Sequence, residues 1–215
     1  MPDGLLFVYT DPGSVPAAEF NDWYDNEHCP ARLTVPGITS ACRFHALDDL
    51  APPWLAYYEF RQGTLGTPGY KSLADTTSAR EKSIMSTLAT LDRRVYELVS
   101  DSAPGPAAAA AAGPPPAVLA VALSVHPSLE ADLAAWYADE HIPMLLAVPG
   151  WRRIRRYALT EGNAPAHLAL HELDSAAVLD EPAYYAAAST PWRKRIVESA
   201  IGRERRVFGL HRPFG

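Results

Sequence analysis

The sequence predicts an α+β fold, in which two ferredoxin-like βαββαβ repeats form an intramolecular pseudo-dimeric α/β barrel. Three observations lead there. Residues 23–38 read WYDNEHCPARLTVPGI and residues 136–151 read WYADEHIPMLLAVPGW, an offset of 113 with nine of sixteen positions identical. About one identity is expected by chance at a residue frequency of roughly 6%. The two copies also carry the same order of apolar and amphipathic segments. Between them, residues 101–116 include PGPAAAAAAGPPP, a composition that builds no core and reads as a linker. A period above 100 residues means a duplicated domain rather than a solenoid. The expected organisation is repeat one over 1–100, linker over 101–116 and repeat two over 117–215.

Each element of the first copy has its own reason. Gly4–Thr10 is a short apolar run and reads as a strand. Pro16–Cys29 is helical in pattern. Ile38–Leu47 and Trp54–Arg61 alternate as strands around a polar turn holding Asp48, Asp49 and Pro52-Pro53. Leu65–Ser86 holds helical segments with a break expected at Pro68-Gly69, and Leu91–Val99 is a last strand. The order β-α-β-β-α-β is the ferredoxin-like unit. Its antiparallel sheet has helices on one face and leaves the other uncovered, which a second sheet can close.

Composition removes several classes. Of 215 residues, 48% are hydrophobic and the formal net charge is −6, without a basic cluster to bind nucleic acid or an anionic membrane. No apolar run approaches the roughly 20 residues that cross a bilayer. The segment Met1–Tyr9 carries Asp3 and no Lys or Arg, so no secretory signal is expected and the location expected is cytoplasmic. Cys29 and Cys42 are too few for a disulfide framework or a Cys-based zinc site. No phosphate-binding glycine loop, HExxH, CxxC or GxSxG occurs.

The first helix of each copy carries the chemical signal. At about 100° per residue, Phe20, Tyr24, Glu27 and Ala31 fall on the centre of the apolar face, with Trp23, Val35 and His28 at its flank. Leu133, Tyr137, Glu140 and Met144 take the centre in the second copy, with His141 at the flank. A carboxylate within an apolar stripe is costly unless paired or protonated. Pro30 and Pro143 are expected to kink or end the helix and free the carbonyls of Asn26 and Asp139. The alternative is structural: Glu27 paired with Arg43 and His28 satisfying a freed carbonyl, with Trp23, Trp136, Tyr24 and Tyr137 as core.

Trp-Tyr-x-x-Glu-His-x-Pro, then Val-Pro-Gly, then Arg-Phe or Arg-Tyr, resembles the EthD-type branch of the dimeric α/β-barrel superfamily in both copies. The resemblance implies a barrel of two sheets, a pocket between each sheet and its helices, and His28 and His141 facing that pocket. It implies no single activity, because the superfamily holds cyclases, oxygenases, haem enzymes and isomerases.

The copies differ in their polar residues. Copy one has Cys29, Arg32, His45, Tyr57 and Tyr58 where copy two has Ile142, Leu145, Ala158, Leu170 and His171. Copy one is therefore expected to do more of the chemistry. The function expected is acid–base catalysis on a largely apolar oxygenated metabolite, as in a polyketide-like cyclase, dehydratase or isomerase. The alternatives are a cofactor-free or haem-dependent monooxygenase and a non-catalytic ligand-binding accessory protein. The expected catalytic residues are His28, Glu27, Tyr58, His141 and Glu140, and the expected substrate-binding residues are Tyr24, Arg43, His45, Trp54, Tyr57 and His171. Neither metal nor cofactor is expected. The only partner expected is a small-molecule substrate, with the chain a monomeric pseudo-dimer or a homodimer.

Overall fold

The computed structural model describes residues 3–105 and 113–215. Its strands are β1 (Gly4–Asp11), β2 (Ile38–Ala46), β3 (Trp54–Phe60), β4 (Thr90–Ser102), β5 (Ala117–Ser124), β6 (Trp151–Glu161), β7 (His167–Leu173) and β8 (Gly202–Phe214). Their order is that of a closed antiparallel barrel, β1-β3-β2-β8-β5-β7-β6-β4. The chain divides into two compact units. The first holds Met1–Glu97 with Thr160–Gly162 and Leu210–Gly215, and the second holds Leu98–Leu159 with Asn163–Gly209.

In the first unit the strands pair antiparallel in the order β4-β1-β3-β2. β1 is buried from Gly4 to Thr10, as its unbroken apolar run requires when both faces of a strand are covered. Leu6, Val8, Ala41, Tyr58 and Val95 face the helices and pack with Phe20, Trp23 and Ile84. The second unit repeats the plan with β8-β5-β7-β6. Even the irregularity is copied, since the ladder shifts between Ile38 and Ser40 and again between Trp151 and Arg153.

The first helix of unit one is α1 (Ala17–Trp23), a π-helical turn (Tyr24–His28) and α2 (Cys29–Leu33). α3 (Pro68–Lys71) and α4 (Ala79–Thr87) follow. Unit two has α5 (Glu130–Trp136), a π-helical turn (Tyr137–His141) and α6 (Ile142–Leu146), then α7 (Pro182–Ala187) and α8 (Pro191–Glu198). Pro30 and Pro143 thus do not end their helices. A proline ring collides with the carbonyl four residues earlier, and a wider turn just upstream relieves that collision while the helix runs on. The Cys29 N–H reaches back to the Tyr24 carbonyl, five residues away.

Two expected boundaries move. Pro68 opens α3 instead of breaking a helix, because proline at the first helical position loses no hydrogen bond. β4 continues to Ser102, three residues beyond Val99 and two into the expected linker, and residues 106–112 of that linker lie outside the described residues. Val-Pro-Gly is a turn in both copies. Gly37 has φ +103° and Gly150 has φ +85°, and an added Cβ would meet the side chains of Thr64 and Val178 respectively.

Unit one is completed from far along the chain. Thr160 Oγ1 donates to the Val95 carbonyl at 3.1 Å, and Phe214 packs against the helix-side core. Residues 1–100 expressed alone lack both segments. They are expected to aggregate or form a homodimer, which size-exclusion chromatography with light scattering would show. A stable soluble monomer would count against the duplicated-barrel organisation.

Candidate functional site in the second repeat

The π turns decide which polar groups face inward. One extra residue in a turn advances the helix face by one position, so His28 falls where the regular wheel put Glu27. His28 is buried at 6% exposure and His141 at 9%, while Glu27 and Glu140 are half-buried. The same shift brings Leu145 inward, at 1%, in place of Met144.

The two glutamates look toward the second helices instead. Ser78 caps α4, accepting the Glu81 N–H at 3.0 Å while its hydroxyl donates to Glu27 Oε1. Thr190 caps α8, accepting the Arg193 N–H at 3.1 Å while its hydroxyl donates to Glu140 Oε1 at 2.5 Å. Glu140 also accepts from Trp136 Nε1 at 3.1 Å. Both carboxylates therefore tie first helix to second-helix cap, which offsets the cost of placing them near the core.

A cavity of about 440 Å³ lies in unit two. Its floor is Leu119, Val121 and Leu123 of β5, and its walls include two aromatic stacks. Trp136 lies on His141 with ring centres 4.2 Å apart, and Trp151 on Tyr184 at 5.6 Å. His171 of β7 meets Trp151 edge-on at 5.3 Å. Arg193, Arg203 and Arg205 also line it, and no Asp or Glu does so among the described residues. Nδ1 of His141 and Nδ1 of His171 are buried without a hydrogen-bond partner. Burial, then the Arg193 charge, pushes His141 down to about 3, against a backbone contact from Ala187. Burial, then His141 and Arg205, holds His171 well below the usual imidazole range. Both shifts favour the neutral ring at pH 7 and lower its affinity for a proton.

Repeat one fills the equivalent positions with polar side chains. His28 Nδ1 donates to Glu81 Oε1 at 2.7 Å, and Arg32 NH1 reaches the His28 carbonyl at 3.1 Å. Tyr58 OH meets Cys29 Sγ at 3.2 Å and Tyr24 OH at 3.5 Å. Burial pushes Tyr24 and Cys29 up to about 12. Arg43 pairs with Asp25 and donates to Asn21 at 2.9 Å, not to Glu27, and lies over the Tyr24 ring at 4.2 Å and the Trp54 ring at 4.6 Å. Asp25 also holds His211 Nε2 at 3.1 Å. His45 is exposed against Trp54, and Tyr57 packs on Phe44 on the opposite face from Tyr58. A wider cavity of about 780 Å³ in unit one is lined by Glu27, Arg32, Tyr70, Glu81 and Arg93, and not by His28, Tyr24 or Tyr58.

The structure therefore gathers His141, Tyr137 and His171 around one cavity, and packs His28, Tyr24 and Tyr58 together. It leaves His45 and Tyr57 apart from either group. Sequence reasoning passed over Trp151, Tyr184, Arg193 and Glu81. Trp151 and Arg193 had a signal, as residues unlike their repeat-one counterparts Ile38 and Glu81.

No protein-family model and no curated relative matches the chain. Solved structures do. An anthrone oxidase-like protein superposes with a TM-score of 0.68 at 14% identity, covering 98% of this chain and 91% of its own. A candidate chlorite dismutase gives 0.62 at 16% identity, with 99% and 96% covered. A candidate monooxygenase from Fusobacterium nucleatum subsp. nucleatum ATCC 25586 gives 0.61 at 10%, with 100% and 95% covered. The likeness spans both repeats and defines the fold class, the dimeric α/β barrel. No helix among the described residues is long and apolar enough to cross a membrane.

The buried histidines set a pH dependence. His28, pushed down to about 4 by burial and then Arg32 against the pull of Glu81, and His141, at about 3, both titrate below the unfolded value of 6.5. Their neutral forms are favoured by folding, so stability is full above about pH 6.5. It falls as the pH drops toward 4, where the unfolded chain takes up protons that the folded chain refuses. Each imidazole contributes a slope of at most about 1.4 kcal/mol per pH unit. Urea denaturation at pH 7 and pH 5 checks this. Equal stability at the two values would mean that these rings are charged in the folded state.

Proposed function

We propose that the chain is a small-molecule enzyme whose active site is the cavity of the second repeat. Its chemistry begins with removal of a proton beside a carbonyl or phenol oxygen of a planar, largely apolar metabolite. One observation carries this reading: the two buried histidines, His141 and His171, line a cavity together with arginines and aromatic rings and with no Asp or Glu among the described residues. A positioned neutral histidine accepts the proton, and the arginines favour the oxyanion that develops. His171, the deeper ring, is the base, and Arg203 and Arg205 of β8 hold the developing charge. The Trp-Tyr-x-x-Glu-His-x-Pro motif supports an EthD-like member of the superfamily, with Glu140 as a positioning residue through the Thr190 cap. In repeat one, Glu27, His28, Tyr24 and Tyr58 keep the scaffold.

The enolate has two fates. Cyclisation, dehydration or isomerisation needs no further reactant. Oxygenation consumes one O2 per substrate methylene, with one oxygen atom entering the new carbonyl and the other leaving as water. The likeness to an anthrone oxidase-like protein favours the second fate.

Anthrone is a probe that separates the steps. Solvent deuterium is expected to enter its methylene faster with the protein than in buffer under nitrogen, and oxygen uptake is expected under air. His171→Ala should cut exchange by about 100-fold or more. His28→Ala should instead lower stability by about 1–3 kcal/mol, because Glu81 loses its buried partner. If no ketone or phenol of this shape exchanges faster with the protein, proton abstraction in this cavity is wrong.

A further inference from the structure

The second helices of the two repeats start alike and then differ at one charge. Ser78 and Thr190 occupy the same capping position, each receiving the N–H three residues on and each donating to the glutamate of the first helix. The residue three positions into the helix is Glu81 in repeat one and Arg193 in repeat two. Glu81 places a carboxylate oxygen 2.7 Å from His28 Nδ1 and 3.9 Å from Arg32 NH1. In repeat two the histidine is kept and the carboxylate is replaced by a guanidinium. His141 Nδ1 is left without a partner, and Arg193 makes no ion pair with a described residue. Leu145 stands where repeat one has Arg32, and it lines the cavity together with His141 and Arg193.

We propose that the second repeat takes an aromatic carboxylate, whose anionic group binds the Arg193 guanidinium where it lines the cavity. This rests on the cavity being the active site and names the substrate class for it. A guanidinium donates in a fork that matches two carboxylate oxygens. The half-buried Arg193 is better placed for this than Arg203 and Arg205, which are exposed and whose ion pairs water weakens. The stacks of Trp136 on His141 and of Trp151 on Tyr184 leave flat apolar walls for a ring system.

Two isosteric probes test it. Binding of 2-naphthoate and of 2-naphthamide is measured by quenching of tryptophan fluorescence and by titration calorimetry on the full chain. The naphthoate is expected to bind about tenfold or more tightly than the amide. Arg193→Gln should remove that preference while leaving the amide's affinity within a few-fold. Arg193→Glu installs the repeat-one residue, reverses the charge at the anchor and should cut naphthoate binding by more than tenfold. The comparison of the two probes on the unmodified chain needs no variant, so it decides the matter even if a variant fails to fold. Equal binding of both probes overturns the carboxylate anchor and leaves the active-site reading standing. A naphthoate preference that survives Arg193→Gln also overturns the anchor. Binding of neither probe overturns both.

Discussion

The π-helical turn at Tyr24–His28, with its copy at Tyr137–His141, sets where the polar groups of the first helices point. Proline at 30 and 143 makes a regular turn unfavourable upstream, and one inserted residue removes the conflict while keeping the helix intact. The consequence reaches well beyond the backbone. Histidine, not glutamate, enters the interior. The glutamate, rotated outward, meets the cap of the following helix and fixes the distance between the two helices. The register of that cap then decides which residue, Glu81 or Arg193, comes close to the buried imidazole.

From this shared frame the repeats reach two different electrostatic solutions. Repeat one satisfies its histidine internally, with Glu81 supplying the acceptor and Arg32 supplying a neighbouring positive charge. It also threads Cys29, Tyr58 and Tyr24 into a buried chain of weak hydrogen bonds. Such a network is rigid when all its members are paired. Repeat two substitutes Ile142, Leu145, His171 and Arg193 at the corresponding places, and each exchange removes a partner or frees volume. An orphaned buried nitrogen costs on the order of 1–3 kcal/mol, so two of them on rings that line one cavity mark a place where stability yields to another demand.

Much of the architecture was legible because it depends on composition and period. The duplication of WYDNEHCPARLTVPGI, the apolar run at Gly4–Thr10 and the alternation of Trp54, Tyr58 and Phe60 against Tyr57 all reflect burial, which a sequence records directly. The side-chain geometry was not legible, for a specific reason. A helical wheel assumes a constant angle per residue, and a single π turn breaks that assumption after Trp23 and Trp136. Glu27 was thus expected where His28 stands. Counting donors in copy one does not by itself locate a site, because donors that pair with one another are not offered to a ligand. Chemistry needs groups that are unpaired and space beside them, and pairing depends on elements as far apart as His28 and Glu81.

Internal duplication turns this contrast into a controlled comparison within one chain. Two sites that share a helix, a turn, a histidine and a capping hydroxyl differ in the sign of one neighbouring charge. Where the neighbour is a carboxylate, the imidazole is paired with it, and the cavity beside that carboxylate is not lined by the histidine. Where the neighbour is a guanidinium, burial and positive charge act together to keep the imidazole neutral, and the field in the cavity favours any negative charge that arrives or forms there. The same field that lowers the proton affinity of His141 stabilises an oxyanion on a bound molecule. A substrate anion would cancel part of the Arg193 charge and so relieve one of the two causes that hold His141 down.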